Sequence, residues 1–195
     1  MRIALIDGSK HSTVYSIALL KIGALLKSQG HKCKLFNRLP KENIKYDEVW
    51  ISTLFTFDIP YVKGMIREAK KRYKVIKVGG IAASLLPDKF KEENVEVTIG
   101  RIKEVEEFAP DYSLLKENPE YSITYLSRGC VRKCKFCMVP ILEPKYERTQ
   151  NWEKDLYPGA RKILFYDNNW LAKPNKEIKK DTEDLKRVVK EKNIY

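Results

Sequence analysis

A doubly wound α/β fold of flavodoxin-like (Rossmann-like) type is predicted for residues 1–104, on three observations. Short runs that are fully apolar or alternate with period two recur along this stretch, helix-period runs fall between them, and turn residues separate the two. The first run, "RIALID", has the continuous apolar character of a strand buried on both faces. The turn "GSKHST" follows, where Ser12 or Thr13 would cap a helix "VYSIALLKIGALLKSQG" that Gly30 ends. "KCKLFN" reads as a second strand and "YDEVWISTLFT" as a third. Pro60 opens an amphipathic helix, "YVKGMIREAKKRY", and "KVIKVGG" and "VEVTIG" supply the fourth and fifth strands. In such sheets ligands bind beyond the carboxyl ends of the strands. Those ends carry Asp7 to Ser12, Ser52 to Asp58, Val78 to Ser84 and Ile99 to Glu104. Gly79 and Gly80 would let backbone approach a bulky ligand there, and would equally suit a plain tight turn.

Residues 105–120, "VEEFAPDYSLLKENPE", hold two prolines and a short apolar island, and read as a linker. The pattern restarts over 121–195. "YSITYLSRG" alternates as a strand, a cysteine-bearing loop follows, "RKILFYDNNW" is another strand, and "NKEIKKDTEDLKRVVKEKNIY" is a charged amphipathic helix.

With 195 residues, 43% of them hydrophobic, the chain is long enough for one full domain and a smaller second one. No run approaches about 18 consecutive apolar residues, so no membrane span is predicted, and "MRIALIDGSKHS" turns polar too early for a signal peptide. The expected compartment is the cytoplasm, where thiols stay reduced and clustered cysteines point to metal or redox chemistry rather than to disulfides. The net charge of +12 is spread evenly: residues 1–110 hold 20 Lys or Arg against 13 Asp or Glu, and residues 111–195 hold 18 against 13. Neither half is a dedicated basic arm, so a lysine-rich solvated surface is favoured over a nucleic-acid partner.

The segment "SRGCVRKCKFC" places three of the four cysteines, Cys130, Cys134 and Cys137, in a C-x-x-x-C-x-x-C spacing directly after a strand. A buried helix would put these positions on one face, but Gly129 before them, Val139-Pro140 after them and Arg132, Lys133 and Lys135 between them argue against it. A structural zinc site needs four ligands; Cys33 or His31 would have to complete the set, and neither belongs to a second C-x-x-C. A thiol-redox pair leaves Cys130 unexplained. An iron–sulfur cluster held by three loop thiolates is the remaining reading, and it leaves one iron open to a substrate or cofactor. The surrounding cations would offset part of the cluster's negative charge.

This motif, with the aromatic Phe136 before its last cysteine, resembles that of the radical S-adenosylmethionine enzymes. The resemblance implies that Cys130, Cys134 and Cys137 ligate three irons of a 4Fe-4S cluster and that S-adenosylmethionine chelates the fourth. Reduction would then cleave the sulfonium to a 5′-deoxyadenosyl radical. It further implies that Phe136 stands near the adenine. The next strand end, "FYDNNWLA", departs from the family's glycine-glycine-glutamate stretch and is similar to the acidic-amide ending of members with an N-terminal cobalamin-binding-type domain. On that likeness Asp167, Asn168 and Asn169 offer acceptors to the methionyl ammonium group, although a strand-ending turn has the same composition. "VGGIAASLLPDKF" and "VTIGRIKEVEEFAPDYSLL" loosely resemble the same subgroup, with Arg101 where a glutamate is common.

The implied architecture is a cobalamin-binding-like domain over 1–104, followed over 121–195 by the first βα units of a partial TIM-type barrel. Such a barrel needs about six units of roughly 30 residues, and the 75 residues after position 120 allow about two. A truncated or split product is therefore expected, with a separate chain as one source of the missing strands. Cobalamin would be held without a protein cobalt ligand, if it is held: Asp7 and His11 are spaced more widely than in D-x-H-x-x-G and lack its glycine. The implied reaction is radical methyl transfer or rearrangement on a small-molecule substrate. Two other classes stay open: a zinc-stabilised basic RNA-binding module that stacks bases on Trp152 and Trp170, and a catalytically inactive remnant acting as an interaction domain.

Overall fold

The computed structural model describes residues 1–10, 12, 14–41 and 44–194. His11 and Thr13, the weighed cobalt ligand and one candidate cap, lie outside the described residues. The chain divides into two compact units, Met1–Leu114 and Leu115–Tyr195.

The first unit runs β1 (Arg2–Asp7), α1 (Ile17–Ser28), β2 (Lys32–Phe36), β3 (Glu48–Ser52), α2 (Ile59–Lys70), β4 (Val75–Gly79), α3 (Ile81–Leu85) and β5 (Glu96–Val97). Its five strands are all parallel, in the order β2-β1-β3-β4-β5. This is the flavodoxin-like order, in which the chain reverses its direction of winding between β1 and β3. The alternation of β1 shows why both faces must be covered. Ile3 and Leu5 pack with Leu19 and Leu26 of α1, whereas Ala4 and Ile6 pack with Val62 and Ile66 of α2 and Val49 and Ile51 of β3. A one-residue slip of β1 would exchange the two cores.

Ser16, not Ser12, caps α1: its Oγ accepts from the Leu19 N–H at 3.4 Å. The Ser12 hydroxyl is turned on its own loop, donating to the Val14 carbonyl at 2.8 Å and accepting its N–H at 3.2 Å. β5 is only two residues long. After it, two short 3-10 turns at Lys103–Glu107 and Tyr112–Leu114 complete the first unit. Asp111 fixes this segment to α1: its N–H donates to the Leu20 carbonyl at 3.2 Å and its carboxylate pairs with Lys27 at 2.5 Å. The proline-bearing stretch 105–114 thus belongs to the first unit.

The second unit runs β6 (Tyr121–Thr124), β7 (Ser127–Arg128), α4 (Val139–Leu142), β8 (Glu147–Arg148), β9 (Lys162–Phe165) and α5 (Asn175–Lys192). β6 and β9 are parallel, with Thr124 opposite Phe165, and β7 and β8 form a short antiparallel pair. The run "YSITYLSRG" is therefore two strands and not one. Past Thr124 the Leu126 N–H leaves the ladder and donates to the Asp167 carboxylate at 2.8 Å. Leu126, Trp152, Val188 and Ile194 form the core, with Ile163, Phe165 and Leu185 packed against them. Trp152 is 6% exposed and meets Phe165 edge-to-face at 5.5 Å. It is a core residue, and the base-stacking role weighed for it is withdrawn. No helix among the described residues is long and apolar enough to cross a membrane.

Candidate functional site

Two regions collect the chemistry. The first lies at the carboxyl ends of β6 and β9. The parallel pairing of these strands brings the start of the cysteine segment and the "DNN" segment side by side. Asp167 accepts from the Leu126 N–H at 2.8 Å and from the Ser127 hydroxyl at 2.6 Å. Its carboxylate also pairs with the Lys173 ammonium at 2.7 Å. Lys173 in turn meets Asp181 of α5 at 3.1 Å, and all three side chains are almost wholly buried. Asp181 also accepts from the Trp170 indole N–H at 3.1 Å and pairs with Arg148. Tyr146 donates to Glu177, and burial together with this hydrogen bond pushes its phenol well above the ordinary value.

Both Asp167 oxygens are thus occupied by internal donors. The amide nitrogen of Asn168 donates to the Gly129 carbonyl at 3.3 Å and to Glu143 Oε2 at 3.0 Å. Asn169 is exposed. Of the three candidate acceptors, Asp167 is a structural anchor, while Asn168 and Asn169 lie at the surface.

Cys130, Cys134 and Cys137 are free thiols, each half-buried, on the irregular segment between β7 and α4. A tight turn links the last two, with the Cys137 N–H donating to the Cys134 carbonyl at 3.0 Å. The Arg132 N–H approaches Cys130 Sγ at 3.4 Å. Phe136 is 87% exposed. Among the described residues no three His, Cys, Asp or Glu side chains are gathered closely enough to hold a metal ion. Even so, the donor set fits a cluster: three free thiols on one short loop, with the Arg132 backbone N–H turned toward the Cys130 sulfur. The segment that carries them, between β7 and α4, has no ladder hydrogen bonds that gathering them round a metal would break. Cys33 is buried in the first unit, where its thiol donates to the Gly23 carbonyl at 3.5 Å and burial raises its pKa.

The second region is the carboxyl edge of the five-stranded sheet. Asp7 ends β1, and burial raises its carboxyl above the ordinary value; the Ser9 hydrogen bonds oppose this and the Asp58 charge adds to it. Asp58 is 2% exposed. Its Oδ2, together with the hydroxyl of Thr53, is buried and has no hydrogen-bond partner among the described residues. Buried polar atoms without partners cluster where a structure is arranged for something other than stability. Gly80, at φ +98°, has a different explanation: a Cβ there would meet the Thr53 backbone at 2.5 to 2.9 Å. The close approach that Gly80 makes is to its own chain. Gly79 meets nothing closer than Thr98 at 3.6 Å.

Sequence reasoning missed Glu143, Arg148, Lys173 and Asp181. The signal for Asp181 was present: it interrupts the apolar face that Ile178, Leu185 and Val188 otherwise make along α5. For Glu143 the sequence carries no signal, because its partners lie 14 and 25 residues away.

No family model and no curated protein sequence matches the chain. Among solved structures, it is similar to the radical S-adenosylmethionine methyltransferase TsrM from Kitasatospora setae, whose structure has a tryptophan substrate and the analogue aza-SAM bound. The TM-score is 0.72 at 12% sequence identity, over 96% of this chain and 51% of that one. The two share a fold. This chain spans about half the length of TsrM.

Proposed function

We propose that this chain forms the N-terminal portion of a radical S-adenosylmethionine enzyme of the cobalamin-type subgroup, with the cluster loop at Cys130, Cys134 and Cys137. The observation that carries the reading is the placement of the three free thiols on a loop opening from the carboxyl end of β6, beside the parallel strand β9. The flavodoxin-order sheet of the first unit and the fold likeness to a radical S-adenosylmethionine methyltransferase support it.

A bound, reduced 4Fe-4S cluster would supply the electron that opens the sulfonium of S-adenosylmethionine. The chain's own residues bind and orient. Cys130, Cys134 and Cys137 are the thiolate donors, and Asn168 and Asn169 present amide oxygens at the strand end where an ammonium group would be held. Exposed Phe136 offers backbone and ring to the adenine. Asp167, held by Lys173, keeps the loop base in register with β9. The carboxyl edge of the first unit's sheet, where the Asp58 Oδ2 and the Thr53 hydroxyl have no hydrogen-bond partner among the described residues, is the place for cobalamin in this reading. The substrate would be a small molecule, and the remaining barrel units would come from further sequence or from a separate chain.

The test is anaerobic reconstitution with iron and sulfide. A brown protein with about four irons per chain and absorbance near 400 nm is expected, with colour lost in Cys134→Ala. Colourless, zinc-loaded protein from the same treatment would sink the reading.

A further inference from the structure

The cysteine loop is closed at its neck by a carboxylate that the proposed chemistry does not use. Glu143, at the carboxyl end of α4, is 12% exposed in its side chain and gathers three donors, two from the other side of the loop and one from the segment after β9. Its Oε1 pairs with Arg128 Nη2 at 2.5 Å. Its Oε2 accepts from the Gly129 N–H at 2.5 Å and from the Asn168 amide at 3.0 Å. The same Asn168 amide donates to the Gly129 carbonyl at 3.3 Å. Both polar groups of residue 129, the one directly before Cys130, are thereby fixed.

Position 129 accepts only glycine in this arrangement. Its φ is +71°, and a Cβ would meet the Lys145 carbonyl oxygen at 2.2 Å. One strand of the neck therefore lies directly on the other. The β7–β8 pairing, with Ser127 opposite Arg148 and Arg128 opposite Glu147, seals the chain just outside it. The Arg128 guanidinium is also held 3.9 Å over the Tyr125 ring. All three cysteines lie between Gly129 and Glu143, so the loop that must converge on a metal has both ends joined beforehand. Joining them in advance removes loop-closure entropy that binding would otherwise have to overcome.

We infer that Glu143 is a positioning residue: with Asn168 it latches the neck of the 130–142 loop, so that the three thiols are preset to converge on one metal. The inference rests on the proposed role of the cysteines as ligands, and its test separates the two. The probe is Co(II), titrated into the metal-free full chain at fixed pH and read by thiolate charge-transfer absorbance. Amide hydrogen exchange at Gly129 is followed by NMR in the same sample. In the wild type the Gly129 amide is expected to be protected. In Glu143→Ala protection is lost and the Co(II) midpoint rises about tenfold, the effect of removing a residue that orients metal ligands. Thermal unfolding should change far less than the midpoint. Glu143→Gln, which keeps an acceptor without the charge, should restore part of the affinity. Glu183→Gln, on the exposed side of α5, should leave it unchanged.

If Glu143→Ala does not fold, Asn168→Ala removes the Gly129 carbonyl clamp from an exposed position and is expected to weaken Co(II) binding in the same direction. A freely exchanging Gly129 amide in the wild type, or equal Co(II) midpoints in wild type and variants, overturns the latch. So does a wild type with no thiolate–Co(II) absorbance. Latch-dependent Co(II) binding without iron–sulfide cluster formation would overturn the cluster reading and leave the latch standing. Equal cluster content in wild type and Glu143→Ala would do the reverse.

Discussion

Asp7 shows most plainly how one side chain can be held against stability. Its carboxyl is desolvated at the end of β1 and stands in the field of Asp58, so its folded pKa lies above the unfolded value. Between those two values the folded chain holds more protons than the unfolded one, so stability falls as pH rises through that window. Above the folded pKa the deficit is complete. Asp7→Asn should therefore raise stability at pH 7, and the gain should vanish once the pH falls below the ordinary carboxylate range. Denaturant unfolding of both proteins at pH 7 and below that range checks this. Asp111 has the opposite sign. Burial alone would raise it, but the Lys27 and Ser113 hydrogen bonds outweigh this and lower it. Its contribution is present at neutral pH and is lost as pH falls below the ordinary carboxylate range.

Among the elements, α5 carries the second unit. Its inner face buries Val188 in the core and Asp181 against Lys173. Lys173 bridges two buried carboxylates, Asp167 and Asp181, and so ties α5 to the base of the cysteine loop. Lys173→Met leaves uncompensated buried charge, expected to cost about 3–5 kcal/mol. Circular dichroism and amide exchange should show structure lost over 121–194 while the sheet of 1–104 stays protected. These elements also show what the sequence reveals and what it hides. β1 was legible because a central parallel strand is apolar on both faces, β3 and β4 because their buried apolar positions alternate, and α2 because its pattern has the helical period. The "YSITYLSRG" stretch was misjudged because alternation continues through Leu126 while the backbone has already turned to bond a side chain 41 residues away. The spacing of the cysteines marked out their loop as the place to look for a site. The side chains bonded at the base and neck of that loop were not legible, because ion pairs between distant segments leave no periodic trace.

The whole molecule joins two units of unequal completeness. The first has its five-stranded sheet covered on both faces. The second has β6 and β9 paired only with each other among the described residues, below the number of strands that is ordinarily stable alone. Large apolar side chains stand exposed on that unit: Phe136 at 87%, Leu171 at 76% and Ile141 at 65%. In TsrM, this chain's counterpart accounts for about half the length. The two-stranded ribbon has a practical consequence for anyone handling the protein. β6 is buried beyond Tyr121, but every residue of β9 is exposed or half-buried, and its outer edge is a row of N–H and C=O groups able to template another strand. The isolated chain should therefore self-associate as its concentration rises, seen as growth of the scattering radius, and Leu164→Lys on the β9 edge should suppress that growth. A scattering radius independent of concentration in the unaltered chain would show instead that the ribbon's edges are already shielded.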